Sequence, residues 1–190
     1  VVFLDFPRYD TPVGNIIRRY LAGEFGSLTA TPARFASLPY AIDRHLAAQE
    51  IRAALARNAV CVANRYKSSN HAYQAAKLSL DERNAYHAWL DDLEFNTLGV
   101  PEEDLLVLLN IPVADASRLV RGRNEPDIHE ANLDYQSAVL AEYLRLAAQK
   151  PHWKVVECAE AGTLLSPDAI HERVWGVVRD HFSRTISPLG

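Results

Sequence analysis

Four short runs of the chain are apolar without alternation: VVFLDF (1–6), AVCVA (59–63), LLVLLNI (105–111) and WKVVEC (153–158). A half-solvated strand alternates apolar and polar residues, whereas a strand buried on both faces does not. The four runs therefore predict strands of a parallel sheet with helices on both faces. Between them the apolar positions fall at helical spacing. Pro12 opens one helix, with Val13, Ile16, Ile17, Tyr20 and Leu21 on one face and Gly23 just past its end. A second runs from about Pro32 to Arg57 and carries Leu38, Ile42, Leu46, Ile51 and Leu55. A third begins near Ser68 or Ser69. A fourth, from about Asp81 to Leu98, sets Ala85, Trp89, Leu93 and Asn96 along one ridge before Pro101.

After the third strand the pattern predicts a short helix over about Val113 to Val120, then a charged connection, RGRNEPDIHE (121–130). A long helix follows, with Leu133, Gln136, Leu140, Tyr143, Leu144 and Ala147 on one side. The last helix has Ser166 as its N-cap and Pro167 at its first position; Ile170, Val174, Val177 and Val178 form its core face. Strands alternating with helices mean a single α/β domain over 1–190.

One stretch does not fit a plain connection. NRYKSSNHAYQAAK (64–77) leaves a buried strand and at once sets down Arg, Tyr, Lys, two Ser, Asn, His, a second Tyr, Gln and Lys. Special backbone angles come from Gly, Asn, Asp or Pro, and this stretch is not built that way. It reads as a loop running into a helix whose first turns hold something polar.

Composition narrows the classes. At 190 residues the chain is long enough for one domain with a full core. A net charge of −4 argues against a surface built for a nucleic-acid polymer. No run is long enough to span a membrane. The seven histidines make no close ligand spacing, so no metal site is expected in this chain. Cys61 and Cys158 sit in apolar runs and read as small core residues of a cytoplasmic, reducing environment. The chain holds no methionine, and Val1 stands inside a strand-like run. The natural N-terminus is therefore expected upstream of Val1.

Open α/β sheets bind ligands beyond the carboxyl ends of their strands. That rule selects FPRY (6–9), NRY (64–66) and the connection beyond the third strand, each holding arginine. Arg8, Arg65, Arg121 and Arg123 together suit a phosphorylated small molecule, because guanidinium groups present paired N–H donors to phosphate oxygens. The plainer alternative is solvated arginines with ordinary ion pairs. Tyr40 and Arg44 lie one helical turn apart, able to stack on a base and bond its edge; the alternative is a buried Tyr and a salt-bridged Arg. Asn70 with Gln74, and Tyr73 with Lys77, share faces of the third helix, and amides carry the donor and acceptor that read a base edge. Helix capping by Ser69 and Asn70 is the competing explanation.

With FPRYDTPVG (6–14), FASLPYAIDR (35–44), NRYKSSNHAYQAAK (64–77) and RGRNEPDIHE (121–130) in order, the chain resembles the thymidylate kinase (dTMP kinase) family over essentially its whole length. LEFNTLGVPEEDLLVLLNIP (93–112) strengthens the likeness. The resemblance implies a three-layer P-loop NTPase-type nucleoside monophosphate kinase fold. Its first, central strand, its phosphate loop and the loop's lysine would lie upstream of Val1, so the chain by itself is expected to fold poorly and to be inactive. It implies the reaction ATP + dTMP → ADP + dTDP with Mg²⁺, in dTTP biosynthesis, in a cytoplasmic homodimer.

At matching positions the resemblance implies that Tyr40 stacks on thymine and Arg44 bonds the base carbonyl. Asn70 and Gln74 would read the rest of the edge, and Tyr73 would disfavour a 2′-hydroxyl. Arg8 and Arg65 would hold the monophosphate, with Phe6, Tyr9 and Ser69 nearby. Arg121 and Arg123 would reach the transferring phosphoryl group from a lid, residues 121–130, with Asp127 and Glu130 at its acidic positions. Asn64 departs from the Asp the family often carries there. A kinase for another (deoxy)nucleotide or deoxynucleoside, and a non-catalytic nucleotide-binding relative, are the alternatives.

Overall fold

The structure is a computed structural model in which residues 1–121, 128–129 and 132–185 are described. They group into two compact units, Val1–Glu102 with Pro126–Glu142, and Glu103–Glu125 with Tyr143–Gly190.

The first unit holds β1 (Val2–Asp5), α1 (Pro12–Leu21), α2 (Ala33–Leu55), β2 (Cys61–Asn64), α3 (Lys67–Ala75), α4 (Leu80–Asp91) and the start of α6 (Leu133–Ala147). β1 and β2 pair in parallel, Val2 opposite Cys61 and Asp5 opposite Asn64, so both strands end at one level. Leu4 and Phe6 pack with Ala47 and Ile51 of α2, and Val2, Cys61 and Tyr66 close around them. A second core joins Ala33, Ala75, Tyr86 and Leu90. Small alanines on α2 and α3 let these helices pack closely on their neighbours.

The loop after β1 is held against α1. Thr11 caps that helix by accepting from the Gly14 amide at 3.0 Å, and its hydroxyl donates to the Arg8 carbonyl at 2.8 Å. Gly14 is required there: a Cβ would fall 1.8 Å from the Arg8 carbonyl oxygen.

α3 begins at Lys67, one residue before the expected start, with Tyr66 as its N-cap, so Ser69 and Asn70 do not cap it. The fourth helix also departs from expectation. α4 ends at Asp91 and continues as a π-helix, Asp92–Thr97, in which the Leu98 amide donates to the Leu93 carbonyl five residues back at 2.8 Å. The wider turn breaks the α-periodic ridge at Leu93 and Asn96 and brings Glu94 into the interior.

The second unit pairs β3 (Leu106–Asn110) in parallel with β4 (Trp153–Glu157), Leu106 opposite Trp153 and Asn110 opposite Glu157. It also contains α5 (Val113–Arg121) and α7 (Pro167–Thr185), whose Ser166 hydroxyl accepts from the Ala169 amide at 3.2 Å as the sequence predicts. A small antiparallel hairpin, β5 (Ala159–Glu160) with β6 (Thr163–Leu164), had no signal strong enough to predict it. Cys158 is buried and Cys61 half-buried, both as free thiols. Among the described residues no helix is long and apolar enough to cross a membrane.

Candidate functional site

In the first unit a cavity of about 140 Å³ lies beyond the ends of β1 and β2. The loop after β1 gives Phe6, Pro7 and Tyr9 to its wall, and the loop after β2 gives Arg65 and Tyr66. α2 adds Tyr40, Asp43 and Arg44, and α3 adds Ser69, Asn70, Tyr73 and Gln74; Leu21 and His129 complete the lining. The structure thus gathers Phe6, Tyr9, Tyr40, Arg44, Arg65, Ser69, Asn70, Tyr73 and Gln74 around one space. Arg8 is not in the lining. Arg121 is the last residue of α5, in the second unit. Arg123, Asp127 and Glu130 lie outside the described residues.

Each charged group near the cavity is held by a specific partner. Arg8 donates from Nε to Asp43 Oδ1 at 2.9 Å and from Nη2 to the Asp43 carbonyl at 2.6 Å, while its amide donates to Asp43 Oδ2 at 2.9 Å. Asp43 is buried, so this carboxylate fixes both the Arg8 side chain and the loop that carries it. Arg44, one residue on, is gripped side-on by buried Glu94: Nε to Oε2 at 2.7 Å and Nη2 to Oε1 at 2.6 Å. Tyr40 and Tyr20 meet edge to face, with ring centres 6.5 Å apart.

Arg65 adopts a left-handed backbone, φ 60°, a conformation that costs a non-glycine residue about 1–2 kcal/mol. Such strain is kept where a side chain must be aimed, and here the Arg65 guanidinium lies 5.4 Å from the Tyr73 ring centre. Asn70 Nδ2 donates to the Ser37 carbonyl at 3.1 Å. Gln74 Oε1 is buried in the wall and has no hydrogen-bond partner among the described residues. A buried acceptor left open costs about 1–3 kcal/mol, which a ligand's N–H would recover.

The far wall carries a directed chain. Lys77 Nζ donates to the Tyr20 hydroxyl at 2.7 Å, and that hydroxyl lies 3.0 Å from His129 Nε2. Burial pulls Lys77 down to about 8, and burial followed by the charges of Lys77 and Arg65 pulls His129 down to about 3. At neutral pH His129 is therefore neutral, and its Nε2 shares a hydrogen bond with the Tyr20 hydroxyl. Its ring stacks on Tyr73, centres 5.3 Å apart.

Sequence reasoning missed Asp43 as the anchor of Arg8, Glu94 as the anchor of Arg44, and the roles of Tyr66 and His129 in the wall. Asp43 had a local signal, its place beside Arg44. Glu94 lay in the stretch 93–112 that carries part of the family resemblance, but nothing there pointed to Arg44, fifty residues away.

Paired parallel strands ending at a polar cavity with arginines beside it are the ligand-binding edge of an α/β protein, suited to a phosphorylated small molecule. The fold agrees with a solved thymidylate kinase from Candida albicans at TM-score 0.65 and 20% identity, over 94% of this chain and 79% of that one. The thymidylate kinase family model matches residues 1–168. Over 182 residues the chain is 34% identical to the thymidylate kinase of Mycobacterium tuberculosis, spanning 88% of this chain and 85% of that one. It is 31% identical over 178 residues to that of Thermomicrobium roseum, spanning 92% and 78%. The chain belongs to the thymidylate kinase family.

Proposed function

We propose that the cavity binds dTMP and that the protein transfers a phosphoryl group to it from ATP, giving dTDP and ADP. The observation that carries this reading is a donor-only group, the Arg44 guanidinium, and an open acceptor, Gln74 Oε1, in the lining of one cavity. Thymine presents a carbonyl beside an N–H, the complement of that pair. Cytosine presents an amino group beside a bare ring nitrogen and meets both with the wrong polarity. Tyr40 supplies a face for the base, Tyr73 lies against the sugar, and Arg65 with Arg8 holds the monophosphate.

Phosphoryl transfer runs through a loose transition state, so the protein's part is to position the acceptor and offset charge. Arg65 and Arg8 bind the acceptor phosphate, and Asp43 keeps Arg8 from reorganising during reaction. By resemblance, Arg121 and Arg123, with Asp127 and Glu130, belong to a lid over 121–130 in a single domain of 1–190. Among the described residues no group of three His, Cys, Asp or Glu side chains could hold a metal. Mg²⁺ would arrive on the nucleotide's own phosphates, the usual arrangement for this ion, and neutralise their charge.

The working form is a homodimer in the cytoplasm, where the free thiols Cys61 and Cys158 stay reduced. Phe35, Ile42 and Leu46 form one exposed stripe along α2, 66%, 41% and 56% accessible, which a second copy would cover. Turnover of the natural full-length protein with ATP–Mg²⁺ and dTMP, dUMP, dCMP or dGMP tests the assignment. dTMP should be the best acceptor and dCMP at least about a hundredfold poorer, because a mismatched hydrogen-bonding edge leaves buried groups unpaired. Preference for dCMP or dGMP would overturn the reading.

A further inference from the structure

We propose that Glu94 is a positioning residue for base selection. By holding one edge of the Arg44 guanidinium it fixes the remaining donor edge in place, and so sharpens the cavity's choice of a carbonyl over an amino group. The inference rests on the proposed role of Arg44 in base recognition and adds to it the group that enforces that role.

A guanidinium carries five N–H donors in a fixed plane. Glu94 takes the side-on pair, one from Nε and one from Nη2, and the Tyr66 carbonyl lies 3.5 Å from Nη1. What is left is one N–H on Nη1 and one on Nη2, adjacent at the end of the plane. Both are donors, as every guanidinium N–H is, and Glu94 fixes where in the plane they point. Arg44 is 2% exposed and Glu94 0%, so water does not compete for the edge that Glu94 holds.

Glu94 touches neither the cavity nor a reacting atom; it acts through Arg44. The π-helix Asp92–Thr97 delivers it, an irregularity that recurs at functional sites. The Glu94 carbonyl accepts from the Val100 amide at 2.7 Å, and the Leu98 carbonyl lies 2.7 Å from His45 Nδ1, on the residue after Arg44. The π-turn and the cavity-facing step of α2 are thus joined twice: by the Arg44–Glu94 pair and by the His45–Leu98 contact. A buried ion pair is weak evidence for stability in itself, and fixing one arrangement is its better-attested use.

The test is calorimetric binding of dTMP and dCMP to the full-length protein carrying Glu94→Gln or Arg44→Gln, with thermal unfolding run beside it. Glutamine keeps the volume but sets an N–H against the guanidinium, freeing Arg44 to turn. Glu94→Gln should weaken dTMP about tenfold and dCMP by less than about threefold, the loss of one well-placed hydrogen bond to a charged group. Equal weakening of both nucleotides would mean a structural role only and would overturn the inference. Arg44→Gln must also collapse the dTMP-to-dCMP ratio. If it does not, the base-recognition reading itself fails; if Arg44→Gln collapses the ratio and Glu94→Gln does not, the positioning inference alone fails. Should Glu94→Gln not fold, Glu94→Asp keeps the charge on a shorter arm. A roughly threefold fall in the ratio would support the proposal, and an unchanged ratio would overturn it.

Discussion

The two sides of α3 handle their polar groups in different ways. Ser69, Asn70, Tyr73 and Gln74 form the cavity side, where Gln74 Oε1 stays open. Lys67 and His71 form the back, one turn apart, and there charge closes the account. Lys67 Nζ donates to Asp91 Oδ1 at 2.7 Å and lies 3.5 Å from the Phe95 ring centre. His71 Nε2 is 3.1 Å from the same carboxylate oxygen, and its ring stacks on His87 at 4.7 Å. His87 meets Glu142 at 2.8 Å, and Arg83 donates to Glu142 at 2.7 Å. The back is an ion-paired scaffold around Asp91 and Glu142, in which the His71 ring nitrogens lack a hydrogen-bond partner among the described residues but do not line the cavity, whereas the open acceptor of the front faces it. Substitutions on the two sides should therefore separate stability from binding.

The largest effect belongs to the scaffold. Glu142→Ala removes the buried carboxylate that Arg83 and His87 share and should cost about 3–5 kcal/mol in denaturant unfolding, as loss of one partner of a buried pair does. The folded fraction should still bind dTMP within about twofold, since distant sites are nearly additive. Next, Arg65→Gly removes the proposed phosphate ligand and relieves a left-handed backbone. dTMP binding should fall by about 2–5 kcal/mol while stability holds or rises by about 1 kcal/mol. A fall in stability matching the fall in binding would erase the distinction between the two sides.

Smaller is the pH dependence. Burial outweighs the neighbouring Asp91 and pulls His71 down to about 4. Between pH 6.5 and 4 the unfolded chain therefore binds the proton and the folded chain does not. Stability present at neutral pH is lost as pH falls through that window, by up to about 1.4 kcal/mol per pH unit. His71→Phe should flatten the slope; an unchanged slope would show that other groups, His129 among them, set it. The smallest effect is Gln74→Leu, which removes the open acceptor and should raise stability by about 1 kcal/mol while weakening dTMP.

Much of this was legible in the sequence because it is local. Runs of apolar residues marked the four strands, although the both-face burial expected of them does not hold, since Phe3, Val62, Leu109 and Val155 are exposed. Pro12, and Ser166 with Pro167, stood at helix starts. The density of polar groups in 64–77 marked a helix with a cavity against it. For Arg44, the salt-bridged arginine and the cavity arginine were weighed as competing readings, yet the structure holds both at once: one guanidinium edge on Glu94 and the other free. What stayed hidden depends on contacts across long separations. No local pattern distinguishes Glu94 from a solvated glutamate, because the π-turn that buries it is set by docking on α2. Arg8 was read as an anion ligand, but nothing nearby in sequence says that its side chain rests on Asp43, thirty-five residues away.

The most direct test of nucleotide recognition on the front of α3 is calorimetric binding of dTMP beside N3-methyl-dTMP to the full-length protein. The methyl group deletes the one donor that Gln74 Oε1 would accept. Binding at least about tenfold weaker for the methylated nucleotide is the expected result. Equal affinity would mean that the base does not face Gln74, and the orientation of the nucleotide in the cavity would have to be abandoned.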